Sequence, residues 1–385
     1  MGLRSVKPLF IAAFSLFFIS ITNVSFAKDE VPGVGADPNA TKEDKFNAAK
    51  VIFGHILDNH EFHITGYRGA DGKEHHVSIP LPIILYSPER GFTAFMSSNF
   101  HHGDHPYKGY ELLTERKINE GKLKGYKAGQ IVPVNEAGEI VTDVKVYDLS
   151  ITKNVIQMML ALAVLVWLMT SIAKSYKRGQ GVTSAPKGKQ NLLEPVITFV
   201  RDEVAKPNLG HKYQKYLPYL LTVFFFILIN NIFGLIPGAA NVTGNIAFTL
   251  VLGVISFVVI LASSNKHYWA HIFNPPVPGG VKPILIIVEV LSVFIKPFAL
   301  IIRLFANMVA GHIIIICLIS LIFIFGQMSA VAGWGTSLIS IAFTVFIYFI
   351  EVLVAFIQAF IFANLTAVFI GQAMEGDHHE EAAHH

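Results

Sequence analysis

Four charged residues lie in the last and otherwise apolar part of the sequence, between residues 284 and 374. They are Glu289, Lys296, Arg303 and Glu351. Placing a charged side chain near the centre of a bilayer costs about 2.5–3.5 kcal/mol, so such a group is normally paired or faces water. Charged residues in this setting indicate a path for ions or protons.

Three of these charges share one face of a predicted helix, since they are spaced by seven residues. Glu289, Lys296 and Arg303 drift by only about 20° per heptad around the helix axis. Asn307 follows Arg303 by four residues and continues this face. The alternative is that Glu289 and Lys296 snorkel to the interface while Arg303 and Glu351 form a buried ion pair. Arg303 lies about 20 residues from each end of its segment, too far to reach a headgroup.

A second polar line begins at Glu351, on the last predicted helix. Gln358 follows Glu351 by seven residues, and Gln372 follows by a further fourteen. His312 lies nine residues after Arg303, which turns it to about the opposite side of the same helix. The imidazole there is expected either to meet Glu351 in a proton relay or to bond a backbone carbonyl.

The composition places these residues in an integral membrane protein. Of 385 residues, 52% are hydrophobic and only 15% are charged, a balance that a water-soluble chain of this length rarely shows. The formal net charge of +3 gives no support to nucleic-acid binding. The single cysteine, Cys317, excludes an intramolecular disulfide and lies in an apolar run.

The elements that must position the charges are helices, and the pattern predicts an all-α polytopic protein with five transmembrane helices. The predicted spans are 155–172, 217–236, 246–262, 284–325 and 336–370. The last two are well over 30 residues long, so each is either one strongly tilted helix or two short spans. Tilt is preferred, with a bend at Pro297, because no turn dipeptide divides either segment. Residues 191–206 are amphipathic and predict an additional helix in the membrane interface.

The sequence as a whole is predicted to divide into four parts. Residues 1–27 resemble a signal peptide, with an uncleaved anchor as the alternative, and 28–150 form a small exported α+β domain. Residues 151–375 form the transmembrane domain, and 376–385 form a cytoplasmic tail rich in histidine and glutamate. Five basic residues follow the first span without an acidic one, which makes that end cytoplasmic: Lys174, Lys177, Arg178, Lys187 and Lys189.

Histidines are frequent in the predicted exported domain, above all in the stretch from His101 to His105. Such clusters are able to hold zinc or copper, but the spacing of these histidines matches no metal site with a complete set of protein ligands. The preferred interpretation is that they are solvent-exposed histidines in loops. No metal or cofactor is therefore predicted. A capped amphipathic helix is expected over 41–57, and hairpins are expected from the turn at Asp71-Gly72 and the alternating run 76–86.

Three motifs together resemble a known family, the a-subunit of F-type ATP synthases. They are EVLSVFIKPFALIIRLFANMVAGH from Glu289, NNIFGLIPG from Asn230 and QAFIFANLT from Gln358. The similarity covers about residues 192–372 and includes the order and spacing of all three motifs. The region before residue 147 lies outside it and is longer than the N-terminal segment of many members.

The resemblance implies roles for individual residues. Arg303 matches the essential arginine that faces the ring of c-subunits, and Asn307 and Gln358 match its polar neighbours. Glu289 matches a carboxylate of the cytoplasmic half-channel, and the neighbouring Lys296 is assigned to the proton pathway with it. His312 and Glu351 match the pair of the outer half-channel, which occurs in either order among family members.

The implied protein is a non-catalytic, proton-conducting stator of the bacterial inner membrane, whose ATP chemistry resides on other subunits. Its implied partners are the c-ring, the b-subunit of the peripheral stalk, the other synthase subunits and the lipid bilayer. A proton-coupled secondary transporter is the alternative, although the two matching halves expected of that class are not seen. The sequence leaves the coupling ion, H⁺ or Na⁺, open.

Overall fold

The structure is a computed structural model, and it describes most of the chain from residue 58 to residue 374. The described ranges are 58, 60–68, 74–103, 105–114, 117–118, 125–135, 138–181, 184–236, 239–275, 277 and 280–374. The predicted signal peptide (1–27), the predicted capped helix (41–57), the Asp71-Gly72 turn and the predicted tail (376–385) lie outside the described residues.

The chain divides into two compact units. The first unit contains the chain up to Gln157 together with residues 237–240 and 313–345, and the second contains residues 158–236, 241–312 and the chain from Phe346 onward. All seven residues predicted to conduct or control ions belong to the second unit.

Short antiparallel strands dominate residues 61–148 of the first unit. They are β1 (Glu61–Arg68), β2 (Glu74–Pro80), β3 (Pro82–Ser87), β4 (Gly91–Met96), β5 (Tyr110–Leu112), β6 (Ile131–Pro133) and β7 (Tyr147–Asp148). β1 pairs with β2, β5 pairs with β6, and β3 lies between β4 and β7. The predicted hairpins are thus confirmed, with the alternating run 76–86 divided between β2 and β3. The α+β class of the whole domain stays a prediction, because its expected helix is not among the described residues.

The small core of this region forms on one face of β3. Ile83 and Leu85 are fully buried and pack with Phe100, Tyr110 and Ile131, because alternate residues of a strand point to the same face. After β7, the Ser150 hydroxyl accepts a hydrogen bond from the backbone N–H of Ile84 at 3.1 Å. The last strand is thereby fixed to the core just before the first long helix begins.

Helices account for most of the described residues after residue 152. They are α1 (Lys153–Lys177), α2 (Lys189–Gly234), α3 (Ile246–Ala262), α4 (Lys266–Phe273), α5 (Lys282–Met328) and α6 (Ala330–Met374). Four of them are long and apolar enough to cross a membrane, and a fifth span is present if α3 and α4, which are bent by 100°, count as one. The prediction of a polytopic helical membrane protein is therefore confirmed.

Helix α2 joins two elements that the sequence predicts as separate, the interfacial helix 191–206 and the span 217–236. No non-helical residue lies between them, although residues Val200–Ala205 are π-helical and Gly210–Lys212 form a 3-10 turn. Gly210 has a φ of 51°, in the left-handed region that glycine tolerates. The break between the two predicted elements is thus a local distortion within one helical run.

The two final helices, α5 and α6, are each continuous. They contain 47 and 45 residues, which at 1.5 Å per residue gives about 70 Å, more than twice the thickness of a bilayer core. Only Ser329 separates them, and α5 continues through Pro297. The preference for single long helices over pairs of short spans is confirmed, and their tilt stays a prediction.

Helix α2 lies very close to the end of α6 in the second unit. The Asn208 amide donates a hydrogen bond to the Asn364 side-chain oxygen at 3.0 Å. A Cβ atom placed on Gly371 would lie 2.2 Å from the backbone oxygen of Asn208. Only glycine allows the two backbones to approach this closely.

Candidate ion-conducting site

Arg303 lies on the exposed side of α5. Leu300 and Leu304 are buried on the other side of the same turns, while Arg303 and Ile302 are exposed. No ion pair of Arg303 is found in the part of the chain that the structure describes. The ion pair between Arg303 and Glu351, which the sequence left open, is therefore not formed.

The backbone that carries Arg303 is held by the neighbouring helix. The Gln358 side chain, only 3% exposed, donates a hydrogen bond from Nε2 to the Arg303 carbonyl oxygen at 2.7 Å. A side chain that bonds a helical carbonyl fixes the distance between two helices. Asn307, one turn after Arg303, is exposed on the same helix.

Glu351 has a different environment, because it is 8% exposed and packs against a glycine. A Cβ atom on Gly311 would lie 2.0 Å from Glu351 Oε1, so the carboxylate occupies space that only glycine leaves free. Among the described residues, no hydrogen-bond partner reaches Glu351 Oε2. A buried polar atom without a partner is costly and marks a place for water or for a proton.

His312 directly follows Gly311 and is half-buried. The carboxylate of Glu351 and the backbone next to His312 therefore lie in the same contact between α5 and α6. A direct bond from the imidazole to the carboxylate stays a prediction.

Lys296 and Glu289 lie on α5 before Arg303, and both are half-buried. Lys296 Nζ donates a hydrogen bond to Gln372 Oε1 at 2.9 Å and lies 5.4 Å from the centre of the Phe369 ring. The sequence placed Lys296 and Gln372 on separate polar lines, and the structure joins these two lines near the end of α6.

Two asparagines take part in the site although the sequence reasoning gave them no role. Asn231 Nδ2 donates to the Ala355 carbonyl at 3.1 Å, and Asn241 Nδ2 donates to the Met308 carbonyl at 3.3 Å. Both amides are buried, and Asn231 Oδ1 has no partner among the described residues. The sequence contained a signal for both residues, because an amide side chain in an otherwise apolar segment usually forms a hydrogen bond to a neighbouring helix or has a functional role.

The described residues contain no group of three or more histidine, cysteine, aspartate or glutamate side chains suited to a metal ion. In the histidine-rich stretch, the rings of His101 and His105 meet edge to face with centroids 5.7 Å apart.

Fold and site together define a class: a polytopic helical membrane protein with an exposed cation and a buried acid on two very long helices. Residues 155–371, more than half of the chain, match the family model of the ATP synthase A chain. Residues 51–149 match a second model, described only as a domain of unknown function. The chain therefore belongs to the a-subunit family of the F-type ATP synthases.

Individual relatives agree with this assignment. Subunit a of Chloroherpeton thalassium is 43% identical over 62% of this chain and 71% of its own length. Subunits a of Chlorobium phaeobacteroides DSM 266 and of Myxococcus xanthus are each 40% identical, over 74% and 73% of this chain and 85% and 94% of their own lengths. Because residues 151–385 make up only about three fifths of the chain, these two similarities include part of the region before residue 151.

Proposed function

We propose that this chain is the proton-conducting stator of a rotary ATP synthase, with Arg303 as the fixed charge that discharges the carboxylates of a c-subunit ring. The observation that carries the proposal is Arg303 itself, a permanent cation that is exposed on a transmembrane helix and bonded to no acid of the described chain. A charge of this kind is stable in the membrane only if another group or water meets it.

The physics of the exchange follows from the charge of Arg303. A ring carboxylate that arrives opposite the guanidinium is stabilised in its ionised form, so it gives up its proton. The same carboxylate enters lipid only after it takes up a proton, because a bare charge in hydrocarbon is too costly. Separate aqueous paths from the two sides of the membrane then convert ion flow into rotation. The membrane potential supplies about 2.3 kcal/mol per charge per 100 mV.

The remaining site residues receive their roles from their surroundings. Glu351 and His312 serve the path from the outer side, and the buried, incompletely bonded Glu351 carboxylate supports this role. Glu289 and Lys296 serve the cytoplasmic path. Gln358 holds the backbone of Arg303 in place, and Asn307 extends the polar surface beside Arg303.

The proposal includes an arrangement in the membrane and a set of partners. The region before residue 151 lies on the periplasmic side of a bacterial inner membrane, and the C-terminus is cytoplasmic, as the basic residues after α1 support. The c-ring packs along the exposed side of α5, and the b-subunit and the other synthase subunits complete the complex. The chain itself carries out no ATP chemistry.

Replacing Arg303 tests the proposal. Arg303→Ala is expected to abolish proton-driven ATP synthesis, since a ring carboxylate without a facing cation does not release its proton. Synthesis by membrane vesicles under an imposed proton gradient is the measurement, with Lys266→Ala as a control that removes an exposed cation from α4.

Two results would contradict the proposal. Undiminished synthesis in Arg303→Ala would exclude Arg303 as the discharging group. Purification of the wild-type chain without a ring of small subunits would favour the alternative of a proton-coupled transporter.

A further inference from the structure

The short helix α4 lies across the direction of α3, the apolar helix that precedes it. The two helices are bent by 100° at the three residues between them. α3 contains 17 residues, which at 1.5 Å per residue gives about 25 Å, close to the thickness of a bilayer core. Because α3 alone is long enough to cross the bilayer core, the bend directs α4 along the membrane surface.

The beginning of α4 is fixed to the end of α6. The backbone N–H of Asn265 donates to the Ala373 carbonyl at 3.0 Å, and Asn265 Nδ2 donates to the Met374 carbonyl at 3.2 Å. The last carbonyls of a helix lack partners within the helix, and Asn265 provides partners for two of them. Any surface that holds α4 in place therefore also holds the end of α6.

Helix α4 has three distinct sides. Tyr268 and Ile272 pack on the protein, and Ile272 is almost fully buried. Trp269 and Phe273, each one residue further along, are 37% and 57% exposed on one flank. His271 is exposed on the other flank. At about 100° per residue, the side chains of residues 271 and 273 point about 160° apart around the helix axis.

The rings of Trp269 and Phe273 form a stacked pair. Their centroids are 6.0 Å apart and their planes differ by 15°. The indole N–H of Trp269, which is the only polar group of that ring, donates to the Ser264 hydroxyl at 2.9 Å. α4 contains no acidic side chain, so charge does not oppose contact with a layer of phosphate groups. An exposed aromatic pair whose polar group is already bonded suits the boundary between water and lipid.

The aromatic pair continues an exposed apolar stripe of α3. Four large apolar residues of α3, spaced by four, are exposed: Ile246, Leu250, Val254 and Val258. Residues at this spacing lie on one face of a helix, and such a face on a membrane span contacts lipid. The next large apolar side chains along the chain that are exposed are those of Trp269 and Phe273. The lipid contact of α3 is thus followed directly by the aromatic pair of α4.

We propose that Trp269 and Phe273 bind the lipid surface, at the boundary between headgroups and acyl chains, and thereby hold the end of α6 at that level. The apolar face of a helix that lies on a membrane is buried by about 5–10 Å. With the aromatic flank in lipid, the flank of His271 faces water. α6 is longer than a bilayer core is thick, so its length alone does not fix its depth, whereas a surface contact at its end does.

The first test compares two cysteines on opposite flanks of α4. Phe273→Cys and His271→Cys are each made in a chain whose native cysteine is removed by Cys317→Ala. Each chain is assembled with the other subunits in nanodiscs of phosphatidylcholine and phosphatidylglycerol, where both membrane surfaces are accessible. A water-soluble maleimide is expected to label His271→Cys at least about tenfold faster than Phe273→Cys, because a thiol in apolar surroundings is rarely ionised.

The second test leaves both aromatic residues in place. The emission of Trp269 is obtained as the difference between the wild-type complex and Trp269→Phe, in nanodiscs whose phospholipids carry bromine at a known depth. Bromine near the headgroup end of the acyl chains is expected to quench this emission about twofold more than bromine near the chain ends, since the contact is shallow. Iodide in the water is expected to quench it little.

Three results would overturn the inference. Equal labelling of the two cysteines, or strong quenching of Trp269 by iodide, would show that the pair faces water. Absence of quenching by bromine at either depth would show that another subunit covers the pair instead of lipid. Stronger quenching by bromine near the chain ends would exclude a contact at the surface. If Phe273→Cys does not assemble, the quenching of the wild-type complex decides alone. Neither test measures proton flux, so both results are independent of the role of Arg303.

Discussion

Two carboxylates, one in each region of the molecule, have opposite surroundings. Asp148, in the strand-rich region, accepts a hydrogen bond from the backbone of Ser150 at 2.9 Å and lies 2.9 Å from His60 Nε2. Glu351, in the helical region, is more deeply buried, yet one of its oxygens meets no partner within the described chain. Among the described residues, the strand-rich region thus provides hydrogen-bond partners for its acid, and the helical region leaves one oxygen of its acid without a partner.

The difference separates an acid that stabilises a fold from one for which we propose a role in proton exchange. The pKa of Asp148 lies below its ordinary value, because burial, which would raise the pKa, is outweighed by the hydrogen bonds to His60 and Ser150. Such a group is ionised at neutral pH and contributes to stability. A buried acid that lacks this compensation adds nothing to stability by itself, and functional sites commonly contain such groups.

The largest effect that tests this comparison is expected at Glu351. Glu351→Gln keeps the shape of the side chain but no longer exchanges a proton, and proton flux through the assembled membrane sector is expected to fall at least about tenfold. Flux in vesicles over a range of pH is the measurement. Wild-type flux at every pH would mean that the acid has a structural role after all.

A smaller effect is expected at Gly311, which leaves room for Glu351. The methyl group of Gly311→Ala would meet Glu351 Oε1, but this atom is the end of a flexible side chain, so the fold is expected to survive. Proton flux is expected to fall several-fold because the carboxylate is displaced.

The control for this prediction is Gly335→Ala, also in a transmembrane helix. No described atom lies within 4 Å of a Cβ at Gly335, so flux is expected to stay unchanged. Equal flux in both variants would show that the position of Glu351 is not critical.

The smallest effect is expected at Asp148 and concerns stability alone. Asp148→Asn loses hydrogen bonds to a charged acceptor and is expected to reduce local stability by about 1 kcal/mol. Amide exchange of β3 and β7 in the full-length protein is the measurement, with no change expected in proton flux. Impaired flux would contradict the division between a structural and a functional acid.

The contribution of Asp148 to folding stability depends on pH with a definite sign. Because the pKa of Asp148 is lower in the folded protein, its contribution is fully present above the ordinary aspartate pKa of about 3.9. The contribution is lost as the pH falls through the lower, folded pKa. Exchange protection of β3 is therefore expected to decrease in strong acid in the wild type and to change less in Asp148→Asn.

The sequence predicted the helices well because their signal is local. Long apolar runs with no turn residues define α5 and α6, and the structure keeps each of them whole. The sequence did not predict that residues 191–206 and 217–236 belong to one helical run, because Gly210, with its left-handed backbone, distorts the helix without ending it. The strands before residue 150 gave weaker signals, since β5, β6 and β7 contain three residues or fewer.

The site was predictable as a set of charges but not as a set of contacts. Heptad spacing identifies Glu289, Lys296 and Arg303, but it does not reveal that Gln372 bonds Lys296. The roles of Asn231 and Gly311 depend on which helix packs against them. Such neighbours are distant in sequence, so a periodic pattern within one helix carries no information about them.

The contact at Gly371 has a consequence for how natural variants of this chain are to be interpreted. This position holds no ionisable atom, yet its missing side chain sets the separation of two main chains. Its invariance in a population would reflect mechanical spacing rather than chemistry, and a tolerated replacement would imply a compensating change near Asn208.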